Sequence, residues 1–147
     1  MKKILIASDH AGFELKEILK TRAGELDVQF IDLGTNSLES VDYPDYANLL
    51  SNKLIETGAD ENLGILICGS GVGVSIAANR HPQIRAVLAE SEITAKLARE
   101  HNHANVLCLG ARIVTIEKAI SIIKTFISTP GDQGPRHLRR IKKLGEC

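Results

Sequence analysis

Residues 64–80 read GILICGSGVGVSIAANR, and this stretch decides the fold. The apolar run 65–67 predicts a buried strand, and the small residues of 74–80 predict a helix. Between them lie Cys68 and the glycine loop 69–73. Glycines let a backbone approach a ligand closely, and a helix start presents unpaired N–H groups. The stretch therefore predicts a strand–loop–helix unit that can build a site.

The same alternation of short apolar runs and helix-spaced segments extends along the whole chain. Strands are predicted at 3–7, 28–33, 65–67, 85–89 and 105–109. Helices are predicted at 13–22, 46–57, 74–80, 91–100, 116–127 and 135–144, with a polar loop at 34–45. Five strands that alternate with helices predict a parallel sheet in a Rossmann-like three-layer α/β/α sandwich. We expect residues 1–147 to form one domain that ends in a basic helix.

Composition limits the classes of function. The chain has 147 residues, and its 18 Lys and Arg balance its 18 Asp and Glu, so we expect no nucleic-acid or membrane partner. No apolar run reaches the ~18 residues of a membrane span, and Ser8 to His10 cut the N-terminal run short of a signal sequence. Three irregularly spaced cysteines fit reduced thiols, with Cys108 in the core and Cys147 exposed. We therefore expect a cytoplasmic protein.

Polar groups cluster where the predicted strands end. In open parallel sheets, ligands bind beyond the carboxyl ends of the strands. The candidates at that edge are Asp9 and His10 after the first strand, Tyr43 after the second, Cys68 with its glycines after the third, and Arg112 after the fifth. His101 and Asn102 instead follow a crossover helix. That position puts them at the opposite pole of the sheet, away from Cys68 of the same subunit.

Each candidate at the strand ends has a second interpretation. Cys68 is either a buried apolar residue or a reactive thiol at a helix start. The glycine loop lacks a following Gly-Lys-Ser/Thr and lies on the third strand, so it is neither a Walker sequence nor a dinucleotide fingerprint. Its three glycines favour an anion or oxyanion site over a simple tight turn. Asp9 and His10 are either an ordinary loop pair or working polar groups.

The last predicted helix carries a basic face. Arg136 and Arg140 are one helical turn apart and share that face. They are either solvated or a phosphate clamp, for which arginine is chemically suited. His101 and His103 diverge on a helix, and no HExxH or CxxC spacing accompanies them. No metal site is therefore predicted.

Six blocks of the sequence together resemble a known family, the type B ribose-5-phosphate isomerases, a group that includes allose- and galactose-phosphate isomerases. The blocks are SDHAG at 8–12, DLGT at 32–35, DYPDYA at 42–47, ILICGSGVGVSIAAN at 65–79, REHNHANVLCLGAR at 99–112 and GPRHLRR at 134–140. They follow in unbroken order over nearly the whole chain. The resemblance implies an α/β/α sandwich, a homodimer or a tetramer of dimers, and an aldose–ketose isomerisation that needs no metal or other cofactor.

The resemblance also implies roles for individual residues. Cys68 would move a proton between C2 and C1, and His101 would assist opening of the sugar ring. The implied catalytic set is Cys68, His101, Ser70 and Asp9. Other residues would bind the enediolate, the hydroxyls and the phosphate of the substrate. The implied substrate-binding residues are Asp9, His10, Tyr43, Gly69, Ser70, Gly71, Val72, Gly73, Asn102, Arg112, Arg136, His137 and Arg140. Among them, the phosphate would be bound by His10, Arg136 and Arg140.

Members of this family share their active sites across a dimer interface, so His101 and Asn102 would serve the Cys68 of a partner subunit. The sequence departs from the family pattern at two points. Ser70 stands where many members have threonine, which keeps the hydroxyl. Residues 74–76 contain no glutamate, which is the base in one branch of the family. Cys68 is therefore the only candidate base in the loop.

The expected function is the interconversion of ribose 5-phosphate and ribulose 5-phosphate in the pentose phosphate pathway. Two alternatives stay open. The substrate could be a six-carbon sugar phosphate, such as allose or galactose 6-phosphate, because pocket shape decides between sugars that differ by one carbon. The chain could also be a non-catalytic module that binds a sugar phosphate without exchanging its protons.

Overall fold

The computed structural model describes all 147 residues, which form five strands and seven helices. The strands are β1 (Lys2–Ser8), β2 (Val28–Asp32), β3 (Leu63–Cys68), β4 (Ala86–Leu88) and β5 (Val106–Gly110). The helices are α1 (Phe13–Thr21), α2 (Ala23–Leu26), α3 (Tyr43–Thr57), α4 (Val72–Ala78), α5 (Glu92–Asn102), α6 (Ile116–Ser128) and α7 (Pro135–Leu144). None of these helices has the length and hydropathy that crossing a bilayer requires.

The five strands form one parallel sheet in the order β2-β1-β3-β5-β4. A cluster of 20 buried apolar residues lies between one face of the sheet and helices α1, α5 and α6. A second cluster of 13 lies between the other face and helices α3 and α4. Every residue of β3 is buried, because this central strand contributes side chains to both clusters. The predicted α/β/α sandwich is confirmed.

The predicted start of α3 was wrong. Residues 34–45 were expected to be a loop, but the helix begins at Tyr43, three residues before the expected Tyr46. Pro44 lies in the first turn, where its fixed φ suits a helix and its missing N–H leaves no bond unmade. Helix α4 also begins two residues early, at Val72. The unpredicted α2 is a single turn, and the remaining bounds differ from the prediction by at most two residues.

A crevice lies between the carboxyl ends of β1 and β3, because the connections that follow these two strands run to opposite edges of the sheet. After β1 the chain passes through α1 to the edge strand β2, and after β3 it passes through α4 towards the other edge. Helices α1 and α4 lie on opposite faces. The carboxyl ends of β1 and β3, at Ser8 and Cys68, therefore flank the position where ligands bind in sheets of this class.

Candidate active site

A cavity of about 550 Å³ occupies this crevice. The predicted site residues that line it are Asp9, His10, Tyr43, Cys68, Gly69, Ser70, Val72, Gly73 and Arg112. Ala11, Ile76 and Ile113 line it as well and were not predicted. Apolar side chains carry no chemical signal in a sequence, so only their place in the fold reveals them.

Cys68 ends β3 at the floor of the cavity and is 5% exposed. Its Sγ accepts the backbone N–H of Gly71 at 3.1 Å, so the sulfur lies against the positive end of a peptide dipole. Cys108, on the neighbouring β5, has no such partner and is completely buried, as predicted. Burial raises the pKa of the Cys108 thiol well above its usual value. Of the two buried cysteines, only Cys68 reaches the cavity.

Gly69 and Gly73 make room for side chains that close over the loop. A Cβ on Gly73 would lie 2.5 Å from Cε1 of the Tyr43 ring. A Cβ on Gly69 would lie 3.0 Å from Nη1 of Arg112. The number of glycines was interpreted as a sign of an anion site. In the structure, these two are needed for the packing of an aromatic ring and a guanidinium against the loop.

The loop nevertheless presents open hydrogen-bond donors at the start of α4. Val72 donates its N–H to Oγ of Ser70 at 3.2 Å, whereas the N–H groups of Ser70 and Gly73 donate to no protein acceptor. The carbonyl of Gly69, the helical acceptor expected for Gly73, instead accepts the N–H of Arg112 at 3.0 Å. Ser70 and Gly73 line the same cavity as Cys68, and their two free N–H groups are suited to an oxygen that develops negative charge.

Gly71→Ala is expected to destabilise the fold by roughly 2–4 kcal/mol, because an alanine in this left-handed conformation is strained and its Cβ overpacks the core. The backbone at Gly71 has a φ of 80°, and a Cβ there would lie 2.6 Å from Leu88 and 2.9 Å from the carbonyl carbon of Leu109. Urea unfolding of Gly71→Ala measures the loss. Gly24→Ala is the matched control, since nothing lies within 4 Å of the added methyl group. Equal stabilities of the two variants would contradict the packing role of Gly71.

Asp9 and His10 enter the cavity from the end of β1, each with one polar atom fixed by the backbone. Asp9 is buried, and its Oδ1 accepts the N–H of Gly12 at 3.1 Å. Nδ1 of His10 accepts the N–H of Val41 at 3.1 Å, so the neutral ring carries its proton on Nε2. Oδ2 of Asp9 and Nε2 of His10 make no hydrogen bond within the protein and are available to a ligand.

Gly71, predicted to bind substrate, does not line the cavity, because its N–H donates to Sγ of Cys68. The five remaining predicted site residues form a second cluster, here called the α5–α7 cluster. It consists of His101 and Asn102 in the last turn of α5 and Arg136, His137 and Arg140 on α7. The rings of His101 and His137 stack, with centroids 4.8 Å apart and planes 4° from parallel. Asn102 also lines a cavity of about 420 Å³ at this pole. Arg136 and Arg140 pair with no carboxylate of the chain.

Strand β5 separates the two groups of residues. Helix α5 leads into the amino end of β5, whereas Cys68 is in register with Gly110 at the carboxyl end. The rise from Asn105 to Gly110 is roughly 17 Å at ~3.3 Å per residue. As predicted, His101 and Asn102 lie at the pole opposite Cys68.

The cavity combines a thiol, a carboxylate, an imidazole and free N–H donors, which suits proton abstraction next to a carbonyl. The α5–α7 cluster adds two unpaired guanidinium groups, which suit a phosphate. No group of three or more His, Cys, Asp or Glu side chains is placed to hold a metal ion.

The sequence matches the family described as "Ribose/Galactose Isomerase" over residues 4–144. Ribose-5-phosphate isomerase B of Escherichia coli K12 is 42% identical over 144 residues, covering 98% of this chain and 95% of that protein. A ribose 5-phosphate isomerase structure from Thermotoga maritima aligns with a TM-score of 0.93 and 51% identity over 99% of each chain. Ribose-5-phosphate isomerase B of Mycoplasma genitalium, solved with bound ribulose 5-phosphate, aligns with a TM-score of 0.90 and 45% identity over 98% of this chain and 94% of that chain.

Proposed function

Because the chain belongs to the ribose/galactose isomerase family, we propose that it interconverts D-ribose 5-phosphate and D-ribulose 5-phosphate, the reaction of the pentose phosphate pathway. The observation that carries this proposal is the grouping of Cys68, Asp9 and His10 around the free N–H groups of the glycine loop. A relative with 45% identity holds ribulose 5-phosphate, which supports a five-carbon sugar.

The proposed mechanism starts from the open-chain aldose. Cys68, as a thiolate, takes the proton from C2, and the electron pair moves into the C1 carbonyl, which gives an enediolate. The N–H groups of Ser70 and Gly73 receive the charge that develops on O1. The proton then returns from Cys68 to C1, C2 becomes the ketone, and the O2 proton passes to O1. The Ser70 hydroxyl, whose oxygen accepts from Val72, keeps its own proton free for that transfer.

Ring opening and phosphate binding require the α5–α7 cluster, which lies at the other pole of the same chain. We therefore propose a homodimer, or a tetramer built from such dimers, in which this cluster faces the Cys68 cavity of the partner subunit. His101 would then protonate the ring oxygen together with Asp9, and Asn102 would contact the enediolate. Three exposed apolar residues at the cavity rim support a partner there, since Val72, Ile76 and Ile113 are 45%, 53% and 54% exposed.

We propose that the phosphate lies between Arg136 and Arg140 of one subunit and His10 of the other. Arg136→Ala and Arg140→Ala are each expected to weaken phosphosugar binding by about 1.5–3 kcal/mol, the range for hydrogen bonds to charged groups. Calorimetric titration with ribose 5-phosphate measures the loss when each substitution is combined with Cys68→Ala, so that the ligand is not consumed. Lys142→Ala is the control, since Lys142 is an exposed cation on a different face of the same helix, and this variant is expected to bind normally. An equal loss of affinity for unphosphorylated ribose would contradict the clamp.

Incubation with ribose 5-phosphate in deuterium oxide tests the function directly. The expected result is ribulose 5-phosphate that carries deuterium at C1, because the thiol exchanges its proton with solvent during the reaction. Parallel incubations with allose 6-phosphate and galactose 6-phosphate at low concentration identify the preferred sugar. Saturable binding without ketose and without label would overturn the proposal in favour of a non-catalytic sugar-phosphate-binding module.

A further inference from the structure

Lys16 is a lysine whose side chain has no solvent exposure. It lies on α1, and its Nζ is 2.7 Å from both carboxylate oxygens of Asp32 at the end of β2. A buried ammonium group is tolerated only when it is paired and hydrogen-bonded. Lys16 and Asp32 therefore form an ion pair between α1 and the last residue of β2, in which the lysine is fully buried and the Asp32 side chain is 20% exposed.

We propose that Lys16 and Asp32 are positioning residues that set the orientation and the tautomer of His10 through the segment 33–42. The inference rests on the proposed function only in the phosphate-binding role given to His10. Neither Lys16 nor Asp32 lines the cavity, so any effect on the reaction must be transmitted through the loop.

The first link runs from Asp32 to β1. Oδ1 of Asp32 accepts the N–H of Gly34 at 2.9 Å. The carbonyl of Gly34 accepts the N–H of Ser8 at 2.7 Å, and Thr35 donates its N–H to the carbonyl of Ser8 at 2.8 Å. Ser8 directly precedes Asp9 and His10. The DLGT block at 32–35 is thereby fixed against the strand end that carries the two cavity residues.

The second link runs along the loop to His10. Residues 36–40 are exposed, and within them one side-chain hydrogen bond forms, from the N–H of Glu39 to Oγ of Ser37. The position of Val41 therefore depends on where the loop is anchored at its two ends. Val41 donates its N–H to Nδ1 of His10, which holds the ring plane and leaves the proton on Nε2.

The pair is surrounded by groups that keep Asp32 ionised. Burial raises the pKa of Asp32, but the hydrogen bonds from Lys16, Lys20 and Gly34 outweigh it, so that this pKa lies below its usual value. Glu17 accepts from both lysines. Buried ion pairs are often replaceable by apolar residues without loss of stability. This ion pair has a positioning role because Asp32 also accepts the N–H of Gly34, the contact that anchors segment 33–42 at its first end.

Lys16→Met tests the inference, because methionine keeps the length of the side chain and removes the ammonium. Lys20→Met is the matched control, since Lys20 also contacts Asp32 at 2.7 Å but its side chain is one-third exposed. Nitrogen-15 NMR of the ligand-free protein reports the His10 tautomer. We expect Lys16→Met to show a mixture of both tautomers and a KM for ribose 5-phosphate raised about tenfold with kcat within about twofold. Lys20→Met should match the wild-type protein.

The double variant Lys16→Met with Asp32→Asn removes both charges and is used if the single variant does not fold. It should show the same tautomer mixture and the same rise in KM. A folded Lys16→Met or double variant with the wild-type His10 spectrum and KM would overturn the inference. The NMR result does not depend on turnover. Tautomer loss in a protein that isomerises no sugar phosphate would therefore overturn the proposed function and leave the positioning role intact.

Discussion

Cys68→Ala is expected to reduce kcat by roughly 10²–10⁴-fold, the contribution that a positioned general base typically makes. The proton must leave C2 and arrive at C1, so one base has to reach two adjacent carbons. Cys68 lines the same cavity as Ser70 and Gly73, whose N–H groups donate to no protein acceptor. Removing it leaves these donors in place, and the affinity for ribose 5-phosphate is expected to change by less than about threefold.

Asp9 is the other potential base in the cavity, and its geometry is less suitable. One of its carboxylate oxygens is held by the N–H of Gly12, and the side chain enters from β1 rather than from the loop that carries the oxyanion donors. The Cys68→Ala variant therefore has no replacement base next to those donors. Turnover within tenfold of the wild-type value would show that the base is another residue.

Cys108→Ala is the matched control for this substitution. Cys108 is also a buried free thiol, on the strand next to β3, but it does not line the cavity. Its replacement is expected to lower stability modestly and to leave kcat unchanged, since only small volume is lost from the core. Calorimetric titration with ribose 5-phosphate is possible on Cys68→Ala because that variant does not consume the ligand, and it separates binding from chemistry.

The sequence predicted those parts of the fold that depend on local patterns. Strand β3 is a continuous apolar run followed by glycines, and the strand appears where this pattern places it, whereas the loop after it is two residues shorter than predicted. The start of α3 was missed because Pro44 was interpreted as part of a loop, although proline is also favoured in the first turn of a helix. A helix that begins at Tyr43, with Pro44 in its first turn, was therefore an alternative that the sequence allowed.

Other features depend on contacts between segments that are distant in sequence. Lys16 and Lys20 lie at helical spacing, which is typical of a solvated face. Lys16 is nevertheless buried, because Asp32 at the end of β2 lies within hydrogen-bond distance and pairs with it. Likewise, Gly73 could be interpreted only once Tyr43 was known to pack against it from α3. The spacing of residues along the sequence does not predict these pairings. The site could therefore be located from the sequence, but the contacts that support it could not be predicted.

Mixing two inactive variants is expected to restore activity if each active site is shared between subunits. Cys68→Ala removes the proposed base from the cavity, and His101→Ala removes the proposed ring-opening residue from the α5–α7 cluster. In a mixed dimer, one site carries both substitutions and the other carries neither. With random pairing half of the dimers are mixed, so about a quarter of the sites should be intact. Co-refolding equal amounts of the two variants and measuring turnover tests this.

The decisive control pairs two substitutions from the same half of the site. Asp9 and Cys68 line one cavity of one chain, so each site of a dimer mixed from Asp9→Asn and Cys68→Ala keeps a defective cavity. That mixture should stay inactive, whereas the mixture of Cys68→Ala with His101→Ala recovers. Absence of recovery in both mixtures would mean that His101 acts on the Cys68 of its own chain. The two residues lie at opposite ends of β5, whose rise from Asn105 to Gly110 is roughly 17 Å, so such a result would require α5 to leave the position it has in this fold.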